Sequence, residues 1–108
     1  MDRFDKTLQR IDKFNLDREW NQFHSLENLS KSISIEAAEL LECFQLDENN
    51  YDLEAVKEEL ADVMNYCLQM ALVLKLDPIE IINKKIDKNE KKYPVEKAKG
   101  VSTKYNKL

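Results

Sequence analysis

Glycine occurs once and proline twice in the 108 residues. A sandwich, a barrel or a doubly wound sheet draws on such residues at most of its connections, so their scarcity excludes these architectures and leaves an all-α fold. The two cysteines, Cys43 and Cys67, lack CxxC spacing and sit among Leu, Phe or Met. They read as free buried thiols in a reducing cytoplasm and exclude a cysteine-rich zinc site. A single histidine, His24, excludes the paired Glu-x-x-His motifs of a di-iron bundle, and there is no HExxH motif. No glycine-rich phosphate loop is present, so a phosphate would have to be held through metal and side chains.

No apolar run approaches the ~18 residues that span a bilayer, and the opening Met1-Asp2-Arg3-Phe4-Asp5 is too charged for a signal peptide. The expected location is therefore cytoplasmic, without a membrane partner. What is abundant is charge: 35% of residues are Asp, Glu, Lys or Arg, beside 43% hydrophobic residues. Residues 83–108 carry nine lysines against three acids, a net of +6, which leaves −10 for residues 1–82. An acidic body repels a nucleic-acid backbone, and no basic face interleaved with aromatics offsets that repulsion, so nucleic acid is not an expected partner. Acids for cations and lysines for phosphate oxygens would suit a metal-bound polyphosphate; the same asymmetry also fits a solvated bundle with a basic end.

The 3.6-residue period predicts four helices. The first runs from Asp2 to about Asn15 on Phe4, Leu8, Ile11 and Phe14. An aromatic connection over 18–25 follows, and Ser25 caps a second helix from Leu26 to about Gln45. After a polar break over 46–52, Asp52 caps a third helix to about Lys75. Asp77-Pro78 opens a fourth, with Ile79, Ile82 and Ile86, that ends near Lys92. Residues 93–108 read as a tail, since Pro94 and Gly100 interrupt any continuation. The whole chain is read as one domain.

On the second helix, Leu26, Leu29, Ile33, Ala37, Leu40 and Phe44 define the expected buried stripe, with Glu36 and Glu39 on its border. On the third, Val56, Leu60, Val63, Met64, Cys67, Ala71 and Leu74 play that part. Glu59, Asp62 and Tyr66 follow its edge, while Glu58 faces solvent. Each acidic pair has i,i+3 spacing, and antiparallel packing of the two helices brings all four carboxylates together. Carboxylates ~6 Å apart repel by about 3 kcal/mol per pair at an effective dielectric near 20. Such a cluster calls for cations, and Mg²⁺, with Mn²⁺ as a substitute, suits hard oxygen ligands beside substrate phosphates. From the residues alone, Trp20 is a core plug and Tyr66 a packed residue with a hydrogen bond. Lys85 and Asn89 are then surface groups on one helix face, and His24 a surface residue.

Glu36-Ala37-Ala38-Glu39 followed by Glu59-Leu60-Ala61-Asp62 resembles the ExxE and ExxD signature of the MazG-like, all-α nucleoside triphosphate pyrophosphohydrolases. The resemblance extends in order through Trp20 to His24, Asn28-Leu29, Lys85 to Asn89, Lys92 to Val95 and Lys104-Tyr105. It implies a four-helix MazG-like bundle with a basic C-terminal tail, assembled as a homodimer or homotetramer. The implied reaction is Mg²⁺-dependent hydrolysis of a nucleoside triphosphate between its α- and β-phosphates, in keeping the nucleotide pool clean. By position, Glu36, Glu39, Glu59 and Asp62 would ligate metal and Glu39 would serve catalysis. Trp20, His24, Tyr66, Lys85 and Asn89 would bind substrate. Relatives that act on dCTP carry histidine where this chain has Ile11 and tryptophan where it has Leu46, so the base preference is not implied. The reading of another class is a non-catalytic acidic bundle that binds a protein partner.

Overall fold

A computed structural model of the chain describes residues 1–46 and 48–108. Its ordered elements are α1 (Arg3–Asp17), a 3₁₀ turn (Trp20–Phe23), α2 (Leu26–Glu42), α3 (Leu53–Val73), α4 (Pro78–Lys92), α5 (Val95–Ala98) and a second 3₁₀ turn (Tyr105–Lys107). The fold is all-α with four main helices, as the period predicts. Asp47, within the polar break read at 46–52, lies outside the described residues.

Each main helix starts where a short polar side chain satisfies a free amide of its first turn. Asp2 accepts from the Asp5 N–H at 2.8 Å, Ser25 Oγ from Asn28 at 3.1 Å, and Asp52 from Glu54 at 3.0 Å. Asp77 accepts from both Ile79 and Glu80, with Pro78 in the first helical position, where no amide is needed. The ends come sooner than periodicity suggests. At the end of α2 the amides of Cys43, Phe44 and Gln45 turn back to the carbonyls of Leu40, Leu41 and Glu42, so the helix tightens into turns instead of running to Gln45. α3 stops at Val73 because Lys75 adopts a left-handed conformation (φ 57°) and the Leu76 amide reaches back to the Ala71 carbonyl, closing the last turn.

Two compact units divide the chain. In the first, Met1–Leu76, α2 packs on α3, and α1 lies against α3 and the Trp20–Phe23 turn. Leu29 is fully buried and Ala71 nearly so. The packing faces match the expected stripes in part. Leu29, Ile33, Leu40 and, just past the end of α2, Phe44 are shielded as expected, with Ser32, Glu36 and Glu39 shielded beside them, while Leu26 and Ala37 are exposed. On α3 Val56, Val63 and Ala71 of the expected stripe are shielded, together with Glu59, Tyr66 and Gln69 among others, whereas Leu60, Met64, Cys67 and, just past the end of the helix, Leu74 are exposed. The reason lies in α3 itself, which is apolar around most of its circumference after Leu60, so periodicity alone could not choose its packing face. Cys67 is consequently exposed; it and the half-buried Cys43 are both free thiols.

The second unit, Asp77–Leu108, holds α4 and the remaining turns. Ile79, Ile82 and Ile86 are exposed along α4. The segment expected to be a plain tail carries α5, and its end is anchored. The Tyr105 ring meets Tyr93 edge to face at 6.0 Å, and Lys92 Nζ lies 4.8 Å from the Tyr105 ring centre. Among the described residues, no helix is long and apolar enough to cross a membrane.

Candidate functional site

The α2–α3 pair forms a hairpin across the polar break. Glu36 lies about two turns before the end of α2 and Glu59 about two turns after the start of α3, so the two meet across the seam. Ligand oxygens of Glu36, Glu59 and Asp62 all lie within 4.8 Å of one another. Glu36 and Glu59 are half-buried and Asp62 is exposed. Two carboxylates that the helical geometry puts at the border of the core therefore stand inside the packed seam.

Electrostatics show the strain of this arrangement. A hydrogen-bonding contact with Glu39, then burial, then the charges of Glu39 and Asp62 push the Glu36 carboxyl up to about 7. Burial, followed by the neighbouring Glu39, raises Glu59. Glu39 thus adjoins both, although its oxygens fall outside the tight group of three. Glu36 Oε2 and Glu59 Oε2 are buried without any hydrogen-bond partner. Orphaned carboxylate oxygens facing further acids lack only positive charge, which a hard divalent cation supplies, so the donor set fits such an ion. Glu59 and Asp62 enter the group of three from one face of α3 through i,i+3 spacing, whereas of the α2 pair Glu36 enters it and Glu39 stands beside it.

Trp20, His24 and Tyr66 line one cavity of about 210 Å³ together with Asp62. Its apolar wall comes from Ile11 and Phe14 of α1. Phe14 and Trp20 meet edge to face at 5.6 Å, and the Arg18 guanidinium lies 3.7 Å from the Phe14 ring centre. This stacking braces the aromatic wall from behind a backbone bend, where Glu19 takes a left-handed conformation (φ 55°) that sends the chain into the Trp20–Phe23 turn. Trp20 remains half exposed and is therefore not a core plug. The acidic cluster and the aromatic cavity share Asp62 and therefore adjoin.

Lys85 and Asn89 stand one turn apart on exposed positions of α4, in the second unit. Leu46 is fully exposed. The cavity also contains three polar residues absent from the candidates read in the sequence: Asn15, Asn65 and Gln69. Asn15 is 4% exposed and Gln69 8%. A detectable signal existed for two of them, since Asn65 and Gln69 continue the face of Asp62 and Tyr66 as polar residues within an otherwise apolar half-helix.

The sequence pattern of the MazG-like family matches residues 31–108. The dCTP pyrophosphatase 1 of Mus musculus is 31% identical over 105 residues, covering 89% of this chain and 62% of that protein. Its Homo sapiens counterpart is 32% identical over 106 residues with the same coverage. This chain therefore spans 62% of the length of these curated relatives. The crystal structure of a pyrophosphatase from Archaeoglobus fulgidus superposes with a TM-score of 0.80 at 38% identity, covering 87% of this chain and 94% of that one.

Proposed function

The chain belongs to the MazG-like family, and from that membership we propose that it is a Mg²⁺-dependent nucleotide pyrophosphohydrolase that cleaves (d)NTPs to the monophosphate and pyrophosphate. The observation that carries this reading is the pair of orphaned, buried carboxylate oxygens on Glu36 and Glu59, set beside an aromatic cavity through Asp62. Similarity to pyrophosphatases over 87–89% of the chain supports it.

Glu36, Glu59 and Asp62 would hold the metal, with Glu39 as a fourth ligand or neighbour. Mg²⁺ bound there polarises phosphoryl oxygens and lowers the pKa of water. Glu39, next to both Glu36 and Glu59, would orient the attacking water and take its proton. Trp20 and Tyr66 offer ring faces to the base, and His24 a polar edge. Lys85 and Asn89 would contact phosphate or sugar, and the lysine would offset charge on the leaving pyrophosphate. The reading includes action on surplus or non-standard nucleotides in the cytoplasm, a reducing compartment in which the free thiols Cys43 and Cys67 would persist.

The functional assembly is a homodimer or homotetramer. Leu60 and Met64 (52% exposed) on α3 and Leu74 just past its end present an apolar stripe to solvent, while Leu29 is the large side chain fully buried among the described residues. So thin a core gains most from covering that stripe with a second copy. Sedimentation at micromolar concentration is expected to give at least the dimer mass; a monomer would contradict it.

Phosphorus NMR of a nucleoside triphosphate treated with the protein and Mg²⁺ tests the reaction. Monophosphate and pyrophosphate in equal amounts are expected. Diphosphate with inorganic phosphate, or no turnover of any (d)NTP, would overturn the proposal.

A further inference from the structure

Gln69 is more than nine-tenths buried, lines the aromatic cavity, and leaves its side-chain Oε1 without a hydrogen-bond partner. Its Nε2 donates to Asn65 Oδ1 at 2.9 Å, so the amide is held in place while its carbonyl end is idle. Asn15, equally buried, enters the same cavity from α1. Three carboxamides from two helices thus stand inside a pocket otherwise walled by Ile11, Phe14, Trp20 and Tyr66. An unpaired buried acceptor loses its full solvation without return, which the fold tolerates where a ligand restores the missing bond.

We propose that Asn15, Asn65 and Gln69 form the edge-reading side of the base pocket, in which Gln69 Oε1 accepts an N–H of the nucleobase. This rests on the pyrophosphohydrolase reading above. Carboxamides pair naturally with base edges, since each offers a donor and an acceptor in one plane. The stacked aromatics bind any ring face, so they supply affinity with little discrimination. Discrimination falls to the amides: a base without the complementary N–H would leave Gln69 Oε1 unpaired and is rejected for that reason. Nothing at the acidic cluster depends on these side chains, so they act on which nucleotide is taken and not on the phosphate chemistry.

The test pairs nucleotides that differ only in the N–H: dATP with purine deoxyriboside triphosphate, and dCTP with its pyrimidin-2-one counterpart. kcat/KM for hydrolysis and Kd for the non-hydrolysable α,β-imido forms are measured for wild type, Gln69→Leu and Asn15→Ala. Gln69→Leu keeps the volume and removes only the polar end, and its melting temperature reports folding. Wild type is expected to favour the N–H-bearing member of the better-bound pair at least tenfold, chiefly through KM. In Gln69→Leu that preference should fall below threefold, and Asn15→Ala should weaken it. An N–H preference unchanged in a folded Gln69→Leu variant, or absent from wild type, would overturn the assignment. If no nucleotide is hydrolysed yet the imido forms bind with the expected N–H preference, the reaction is wrong and the amide role stands.

Discussion

Glu36 of α2 and Glu59 of α3 confront each other across the helical seam, their ligand oxygens within the 4.8 Å group that includes Asp62, and each leaves a buried Oε2 with no hydrogen-bond partner. Two acids in such a position weaken the helix pair that carries them until positive charge arrives. That single relationship links the fold's stability to its chemistry.

Mg²⁺ should therefore stabilise the folded chain by mass action. At about 100 times its dissociation constant the gain is about 2.7 kcal/mol, a rise of roughly ten degrees or more in a domain of this size. Differential scanning fluorimetry with MgCl₂ against NaCl of equal ionic strength checks this. Equal responses to the two salts would count against a specific site.

Glu36→Gln removes one of the facing charges while keeping its shape. In metal-free buffer the variant should melt a few degrees above wild type, because like-charge repulsion is relieved. In saturating Mg²⁺ the order should reverse, since a ligand is gone. A variant that is less stable than wild type in both buffers would show that Glu36 serves packing alone.

The pH dependence follows from the same carboxyl. Glu36 is raised from its ordinary 4.5 to about 7 in the folded chain, so between those values the folded state binds more protons than the unfolded state. Metal-free stability is thus fully present below about pH 4.5 as far as this group is concerned, and is lost as pH rises through 7. Glu59, raised in the same direction, adds to the trend. Because a cation competes with that proton, Mg²⁺ affinity should strengthen over the same interval and each binding event should release protons. Calorimetry in buffers of differing ionisation enthalpy measures the release; a proton count of zero at pH 6.5 would contradict the assignment.

The aromatic wall should govern binding more than turnover. Trp20→Ala removes a stacking face worth about 1–3 kcal/mol per base, so KM for the nucleotide should rise roughly tenfold or more with a smaller change in kcat. A fall in kcat at unchanged KM would place Trp20 outside the binding pocket.

Much of this site is legible in the sequence because it is written in helical spacing. Glu36 with Glu39, and Glu59 with Asp62, share helix faces whatever the tertiary packing, and Asp52 and Ser25 mark where those faces begin. The packing face of α3 is another matter. With Ala61, Val63, Met64, Met70, Leu72 and Val73 spread around the helix, several stripes satisfy the same periodicity, and the one centred on Leu60 and Met64 is exposed at Leu60, Met64, Cys67 and Leu74. Asn15 is hidden for a different reason. Asn15 reads as a polar residue near a helix end until α1 docks on α3 and encloses it beside Gln69. Its meaning lies in a tertiary contact that no local pattern encodes.

The most direct measurement is pyrophosphate release from nucleoside triphosphates by wild type, Glu39→Ala and Glu58→Ala, each with and without Mg²⁺. Glu39 adjoins the carboxylates of the seam, whereas Glu58 is exposed on the neighbouring face of α3. The account predicts Mg²⁺-dependent release by wild type, a loss of at least a hundredfold in Glu39→Ala, and a change of less than twofold in Glu58→Ala. Equal loss in the two variants, or release that ignores Mg²⁺, would contradict it.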